Sequence, residues 1–175
     1  MHSHSLPSPT LAPDMPGAAL LPLAAGHQWV DLTEDRLDTI LVIENVAFSH
    51  PWTRGNFADA LRSGYLARVL LQGDDVLGYC IAMQILDEVH LLNITVSPIS
   101  QGQGLARELL DALAHWSRHT AKAQWLWLEV RESNARARHL YERYGFTQVG
   151  ARKKYYPVHQ GERETAILMK LSLWP

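Results

Sequence analysis

Val96-Ser97-Pro98-Ile99-Ser100-Gln101-Gly102-Gln103-Gly104-Leu105-Ala106-Arg107 carries an apolar strand through a glycine-rich turn into an amphipathic helix. Upstream, Leu91-Leu92-Asn93-Ile94-Thr95-Val96 is short, apolar and β-branched, the composition of a buried strand. Downstream, Leu105, Leu109, Leu110 and Leu113 share one helical face, and Arg107, Glu108 and Asp111 share the other. Gly102 and Gly104 lack a Cβ, so the backbone can approach a ligand closely. The unpaired amides of the helix start, aided by the helix dipole, then point at an anion. The stretch reads as a cradle for a phosphate-bearing ligand.

Spacing narrows the ligand. A Rossmann fingerprint needs Gly or Ala three residues after its second glycine, where Arg107 stands. A Walker loop needs Gly-Lys-Ser/Thr, where Gly104-Leu105-Ala106 stands. The order Gln/Arg-x-x-Gly-x-Gly/Ala is met by Gln101, Gly104 and Ala106, and resembles the pyrophosphate signature of the GNAT acetyltransferases. An ordinary strand-turn-helix would use the same glycines, so the next segment matters. Trp125-Leu126-Trp127-Leu128-Glu129-Val130-Arg131 is a strand by composition, with Glu129 interrupting its apolar run. Ser133 or Asn134 caps a helix over residues 135–144, which Gly145 stops. This run, through Gly145-Phe146, resembles the RimI-type members of the GNAT family, as do Leu92-Asn93-Ile94, Tyr155-Tyr156-Pro157 and Ala166-Ile167-Leu168-Met169.

The resemblance spans roughly residues 28–172, and what it implies is specific. The fold would be α/β, the GNAT (acyl-CoA N-acyltransferase) fold, a mixed central β-sheet with flanking helices. Acetyl-CoA would be the co-substrate, held by Thr95, Val96, Ser97, Gln103, Gly104, Leu105, Ala106, Arg107 and Glu108, with Asn134 hydrogen-bonding it from the next helix. The activity would be acetylation of the α-amine of a protein N-terminus, with the N-terminal alanine of a small-subunit ribosomal protein as acceptor. Tyr155, Tyr156 and the pair Asp87-Glu88 match positions near the acceptor groove. The family's Glu-Asp-Ala before the last strand is Glu164-Thr165-Ala166 here, a departure that bears on acceptor preference.

Acetyl transfer to an amine needs a base for the ammonium, donors for the carbonyl oxygen and a proton for the departing thiolate. Glu129 is the candidate base: a lone carboxylate in an apolar strand, where desolvation raises a carboxyl pKa. The same residue also fits a structural pair with Arg131. Tyr141 is the candidate proton donor, and the same position fits a packed core tyrosine. The resemblance assigns the base to the Glu129 position and places the oxyanion donor among backbone amides near Val96, where the cradle strand is expected to splay from its neighbour.

The rest of the chain sets bounds. At 175 residues and 47% hydrophobic content, one compact domain with a core is expected. The net charge of −2 gives no general attraction to nucleic acid. Residues 1–99 hold 4 Lys/Arg against 11 Asp/Glu and residues 100–175 hold 12 against 7, so the cradle lies in the basic half. Cys80 is the only cysteine, which excludes an intramolecular disulfide and suits a reducing cytoplasm. His115 and His119 lie one helical turn apart without the glutamate of a zincin motif, so no metal site is expected. Residues 1–27 are rich in Pro, Ser and Ala with no Lys or Arg, and read as a disordered extension. No run is long enough for a membrane helix, and a monomer is expected.

Turn and cap residues give the order βααβββαβαββ. A first strand covers 28–32, Thr33 caps a helix through Ile43, and Thr53 caps a second over 54–63. Two other functions stay open on the residues alone: a GNAT enzyme acting on a small-molecule amine such as a polyamine or aminoglycoside, and a non-catalytic acyl-CoA sensor. Glu129 with Tyr141 argues against the sensor. The tyrosine pair and Leu92-Asn93-Ile94 argue against the small amine.

Overall fold

The computed structural model describes residues 21–158 and 162–174. Its elements follow the expected order: β1 (His27–Asp31), α1 (Leu37–Ala47), α2 (Arg54–Arg62), β2 (Leu66–Gln72), β3 (Asp75–Ile85), β4 (Glu88–Val96), α3 (Leu105–His119), β5 (Trp125–Arg131), α4 (Ala135–Tyr144), β6 (Thr147–Pro157) and β7 (Arg163–Ser172). They build one seven-stranded mixed sheet in the order β1-β2-β3-β4-β5-β7-β6. Among the described strands only the β4–β5 pair is parallel, bridged by α3, and β7 inserts antiparallel between β5 and β6.

Apolar side chains cover both faces of the sheet. Leu110, Leu113, Leu126, Leu128 and Met169 pack under α3 and α4, and Ile40, Phe57, Val69, Tyr79 and Ile81 pack under α1 and α2. Cys80 is fully buried between strands, and burial pushes its thiol up to about 12, so it behaves as an inert apolar filler. Among the described residues no helix is long and apolar enough to cross a membrane. The rings of His115 and His119 lie 4.4 Å apart, and among the described residues no group of three metal-ligating side chains includes them.

Local details depart from the sequence reading in two places. The first helix opens with a 3₁₀ turn over Glu34–Arg36, Thr33 makes no side-chain cap bond, and α1 runs four residues past Ile43 to Ala47. Thr53 does cap α2, in a reciprocal box with Asn56. The boundary at Gln28 falls inside β1. Leu23 already packs against Leu70, Leu77, Leu105 and Leu109, and the Ala24 amide and the His27 ring both bond Glu108, each at 2.8 Å. Residues 23–27 of the expected extension therefore contact the domain, and its residues 1–20 lie outside the described residues.

One irregularity shapes the sheet centre. β4 pairs with β3 along its length, but the register slips between Ile81↔Asn93 and Ala82↔Leu91, leaving Leu92 as a bulge. The extra residue inverts the alternation. Val89 and Leu91 face the α3 side before it, and Ile94 and Val96 face that side after it, so Asn93 and Thr95 turn towards α1. The parallel ladder to β5 ends at the same point, with Leu91↔Leu128 its last pair. Beyond it the strands part.

Gly78 on β3 holds the splayed half of β4 from behind. A Cβ there would stand 2.5 Å from the Thr95 carbonyl oxygen and 3.0 Å from Leu109 Cδ1. Gly78→Ala is therefore expected to cost about 1–3 kcal/mol of stability by overpacking, read as a lower midpoint in urea denaturation.

Candidate active site

The gap between β4 and β5 opens a cavity of about 350 Å³, walled by Asn93 and Ile94 on one strand, Glu129 and Arg131 on the other, and Asn134 and Tyr141 from α4. A second, wider cavity of about 720 Å³ lies over the sheet face beside it, floored by Glu88, His90 and Trp127 and walled by Tyr155 and Tyr156. Both are lined by Trp52, Leu92, Glu129 and Tyr156. Glu129 thus stands where the two meet.

Glu129 is not the solitary carboxylate the strand suggests. Its Oε1 lies 3.1 Å from an Arg152 guanidinium nitrogen, and its side chain keeps 26% of its exposure. Arg152 reaches it from β6, across the inserted β7, and lies over the Tyr155 ring. The alternative partner, Arg131, is spent elsewhere: it bonds Glu164 at 3.3 Å and stacks 4.5 Å over Tyr156. Hydrogen bonding from Ser133, with Arg131 beside it, holds the Glu164 carboxyl below its usual range. Glu164 thereby ties β7 to the loop after β5.

Tyr141 is 7% exposed, and its ring packs against Phe146 at 5.7 Å. Burial, then the neighbouring Tyr156, pushes its phenol well above the usual range, so the hydroxyl stays protonated. Among the described residues the hydroxyl makes no hydrogen bond, although it borders the smaller cavity. The ring is core and the hydroxyl is free. Tyr156, on the opposite wall, is itself pushed up to about 12 by burial and then by Glu129.

The cradle has the geometry its glycines suggest. Gly102 and Gly104 sit at φ +81 and +80, and a Cβ at either would meet nothing within 4 Å. Any L side chain would be strained there and would fill open space in front of the helix. The first bonded amides of α3 are those of Arg107 and Glu108, both to the Gly104 carbonyl, so the amides of Gln103, Gly104, Leu105 and Ala106 precede the helical ladder. This donor set fits a pyrophosphate. Gln101 links the cradle to α4 by accepting from Arg136 at 3.2 Å.

The remaining residues expected at the coenzyme divide by direction. The Leu105 side chain is in the core, Thr95 donates its hydroxyl to Asn93 at 2.9 Å, and the Ser97 amide donates to Leu77. Glu108 is turned inward to Ala24 and His27, so its carboxylate serves the fold. Arg107 lies 5.5 Å over Tyr144. Asn134 caps α4 by accepting from the Ala137 amide at 3.1 Å while bordering the cavity. Since Ser97 N–H faces β3, the alternation of an antiparallel ladder turns the Ile94 and Val96 amides the other way, into the gap β5 has vacated.

Sequence reasoning missed cross-strand partners such as Arg152, the bulge at Leu92, and Glu44, which is 1% exposed and borders the smaller cavity. Glu44 did leave a signal. It occupies the same helical stripe as Leu37, Ile40 and Leu41, an apolar register in which a carboxylate needs donors.

Residues 29–146 match the model of the Acetyltransferase (GNAT) family. The chain is 37% identical over 142 residues to a [ribosomal protein bS18]-alanine N-acetyltransferase of Haemophilus ducreyi, covering 81% of this chain and 97% of that protein. It is 42% identical over 131 residues to the protein of the same name in Escherichia coli K12, covering 75% and 87%. A crystal structure of the Escherichia coli ribosomal-protein-S18-alanine N-acetyltransferase superposes with a TM-score of 0.77 at 38% identity, over 84% of this chain and 94% of that one. A spermidine N-acetyltransferase from Vibrio cholerae, in complex with CoA and spermine, shares the fold at TM-score 0.73 and 19% identity, over 86% and 97%. With its strand order, its cradle and its split sheet, the chain belongs to the GNAT acetyltransferase family.

Proposed function

We propose that this chain transfers acetyl from acetyl-CoA to the α-amine of a protein N-terminus, the N-terminal alanine of ribosomal protein bS18. The observation that carries the reading is Glu129 at the junction of two cavities, one between the parted strands and one over the sheet face. A thioester can reach it through the first and an extended peptide through the second. The bS18-alanine acetyltransferases cited above, similar over most of their own length, support the choice of acceptor.

When bound, the coenzyme supplies an acetyl carbon activated as a thioester. The amides of the cradle hold its pyrophosphate, and Asn134 and the β4 edge border its path. Glu129, directly or through a water, takes the proton that the acceptor ammonium must lose; an α-amine titrates near ~8, so a modest base suffices. The Ile94 and Val96 amides donate to the acetyl oxygen as charge builds there. Tyr141, kept neutral by burial, gives a proton or a hydrogen bond to the departing sulfur. Glu88 and the tyrosines border the path of the peptide beyond its first residue.

Three experiments test this. With hexapeptides differing only in their first residue, the chain should acetylate the alanine-led bS18 sequence best, and equal rates on all of them or a preference for spermidine would refute the acceptor. Glu129→Gln should lower kcat/KM roughly 10²-fold near neutral pH, the deficit shrinking as pH rises and the amine deprotonates unaided; parallel pH profiles for parent and variant would remove the base role. Tyr141→Phe loses a hydroxyl with no partner among the described residues, so stability should stay within about 1 kcal/mol while kcat falls by about 10². A destabilised but fully active variant would make Tyr141 a structural residue.

A further inference from the structure

Among the described residues Glu44 is the most deeply buried carboxylate that the chemistry above leaves unused, 1% exposed at the C-terminal half of α1. Its oxygens are fully engaged. Oε1 accepts from the Trp52 amide at 2.8 Å, both oxygens accept from Asn93 Nδ2 at 3.2 Å, and Oε2 accepts from the Tyr79 hydroxyl. Burial keeps that phenol protonated, and therefore a donor. Asn93 in turn accepts from the Thr95 hydroxyl at 2.9 Å.

The partners sit on pieces of the site that otherwise have little reason to keep a fixed spacing. Trp52 belongs to the irregular segment between α1 and α2 and lines both cavities. Asn93 is the first residue after the Leu92 bulge, on the half of β4 that β5 has abandoned, next to the Ile94 amide. Neither segment has a second strand to fix it. A carboxylate is an unusual choice for such a place, because burying it is costly unless each oxygen is matched. Here one side chain accepts from three donors on three different segments.

We propose that Glu44 is a positioning residue that clamps the α1–α2 segment to the splayed edge of β4, and so fixes the acceptor's path against the amides that receive the acetyl oxygen. The kinetic part rests on the acetyl transfer proposed above, and the clamp itself does not. Glu44→Leu keeps the bulk and removes the acceptors, and Glu44→Gln keeps one carbonyl oxygen for the Trp52 amide. Asn93→Ala cuts the link from Glu44 to β4, together with the Thr95 bond within β4, leaves the Trp52 link intact, and serves if the leucine variant does not fold.

The measurements are amide hydrogen exchange over residues 48–53 and 92–96, acetyl-CoA affinity by calorimetry, and kcat and KM for an alanine-led peptide. In Glu44→Leu, exchange should rise in both segments but not in α3, acceptor KM should rise and kcat fall by about tenfold or more in kcat/KM, and coenzyme affinity should hold within about threefold. Glu44→Gln should recover most of the loss, and Asn93→Ala should loosen 92–96 alone. Unchanged exchange overturns the clamp whether or not any peptide is acetylated. Faster exchange with parental kcat and KM overturns the positioning role and leaves Glu44 a stabilising residue. A parent chain that acetylates no N-terminal peptide refutes the acceptor reading, and the exchange data then decide the clamp by themselves.

Discussion

The site depends on a ladder that stops. β4 and β5 are bonded through Leu91 and Leu128 and then separate, and the bulge at Leu92 makes the separation possible by shifting β4 half a pleat while β3 still holds it. A buried parallel pair would ordinarily satisfy every amide along its length. Here Ile94 and Val96 are left with donors that no strand takes, at the mouth of the cradle and opposite the only carboxylate on β5. The catalytic potential of the fold comes from that interrupted pairing, and the rest of the structure stabilises the interruption: Gly78 and Leu109 behind it, Asn93 with Glu44 on one side, α4 on the other.

Polar side chains on the acceptor side are held in pairs, two between strands and one along a strand. Arg152 on β6 meets Glu129 on β5, Arg131 on β5 meets Glu164 on β7, and Glu88 meets His90 along β4 at 2.9 Å. These pairs are partly solvated, so each contributes little to stability. Their effect is geometric. They orient the tyrosines, since Arg131 lies over Tyr156 and Arg152 over Tyr155, and keep the wall of the wider cavity upright although β6 is the edge of the sheet.

Local signals were legible in the sequence and partners across space were not. The cradle glycines, the Thr53 and Asn134 caps, the Gly145 stop and the order of elements all follow from residues within one turn of each other, and each is found where it was expected. Glu129, Tyr141 and Asn134 do converge on one cavity. The alternative reading of Glu129, a pair with Arg131, is not found, because neighbours on one face of a strand are fewer than those on adjoining strands, and the insertion of β7 brings Arg152 within reach. Thr95, Ser97 and Glu108 carry the right spacing for a ligand but point into the fold, a direction that depends on the Leu92 bulge and on the segment before β1. A phase slip of one residue within Leu91–Val96 leaves no trace in composition.

The position of β7 has a consequence for the order in which this molecule can assemble. β6 is strand-paired to the sheet only through β7, which is made after it, and β7 must slot between two strands already synthesised. Until residues 163–172 have been translated and docked, Tyr155, Tyr156 and Arg152 have no sheet to stand on, whereas the cradle, β4 and β5 can already be in place. A nascent chain would therefore gain its coenzyme end first and its acceptor wall last. The long-range pairing that closes the sheet is the slow kind, so completion of the acceptor wall is the step at which folding and competence for transfer coincide.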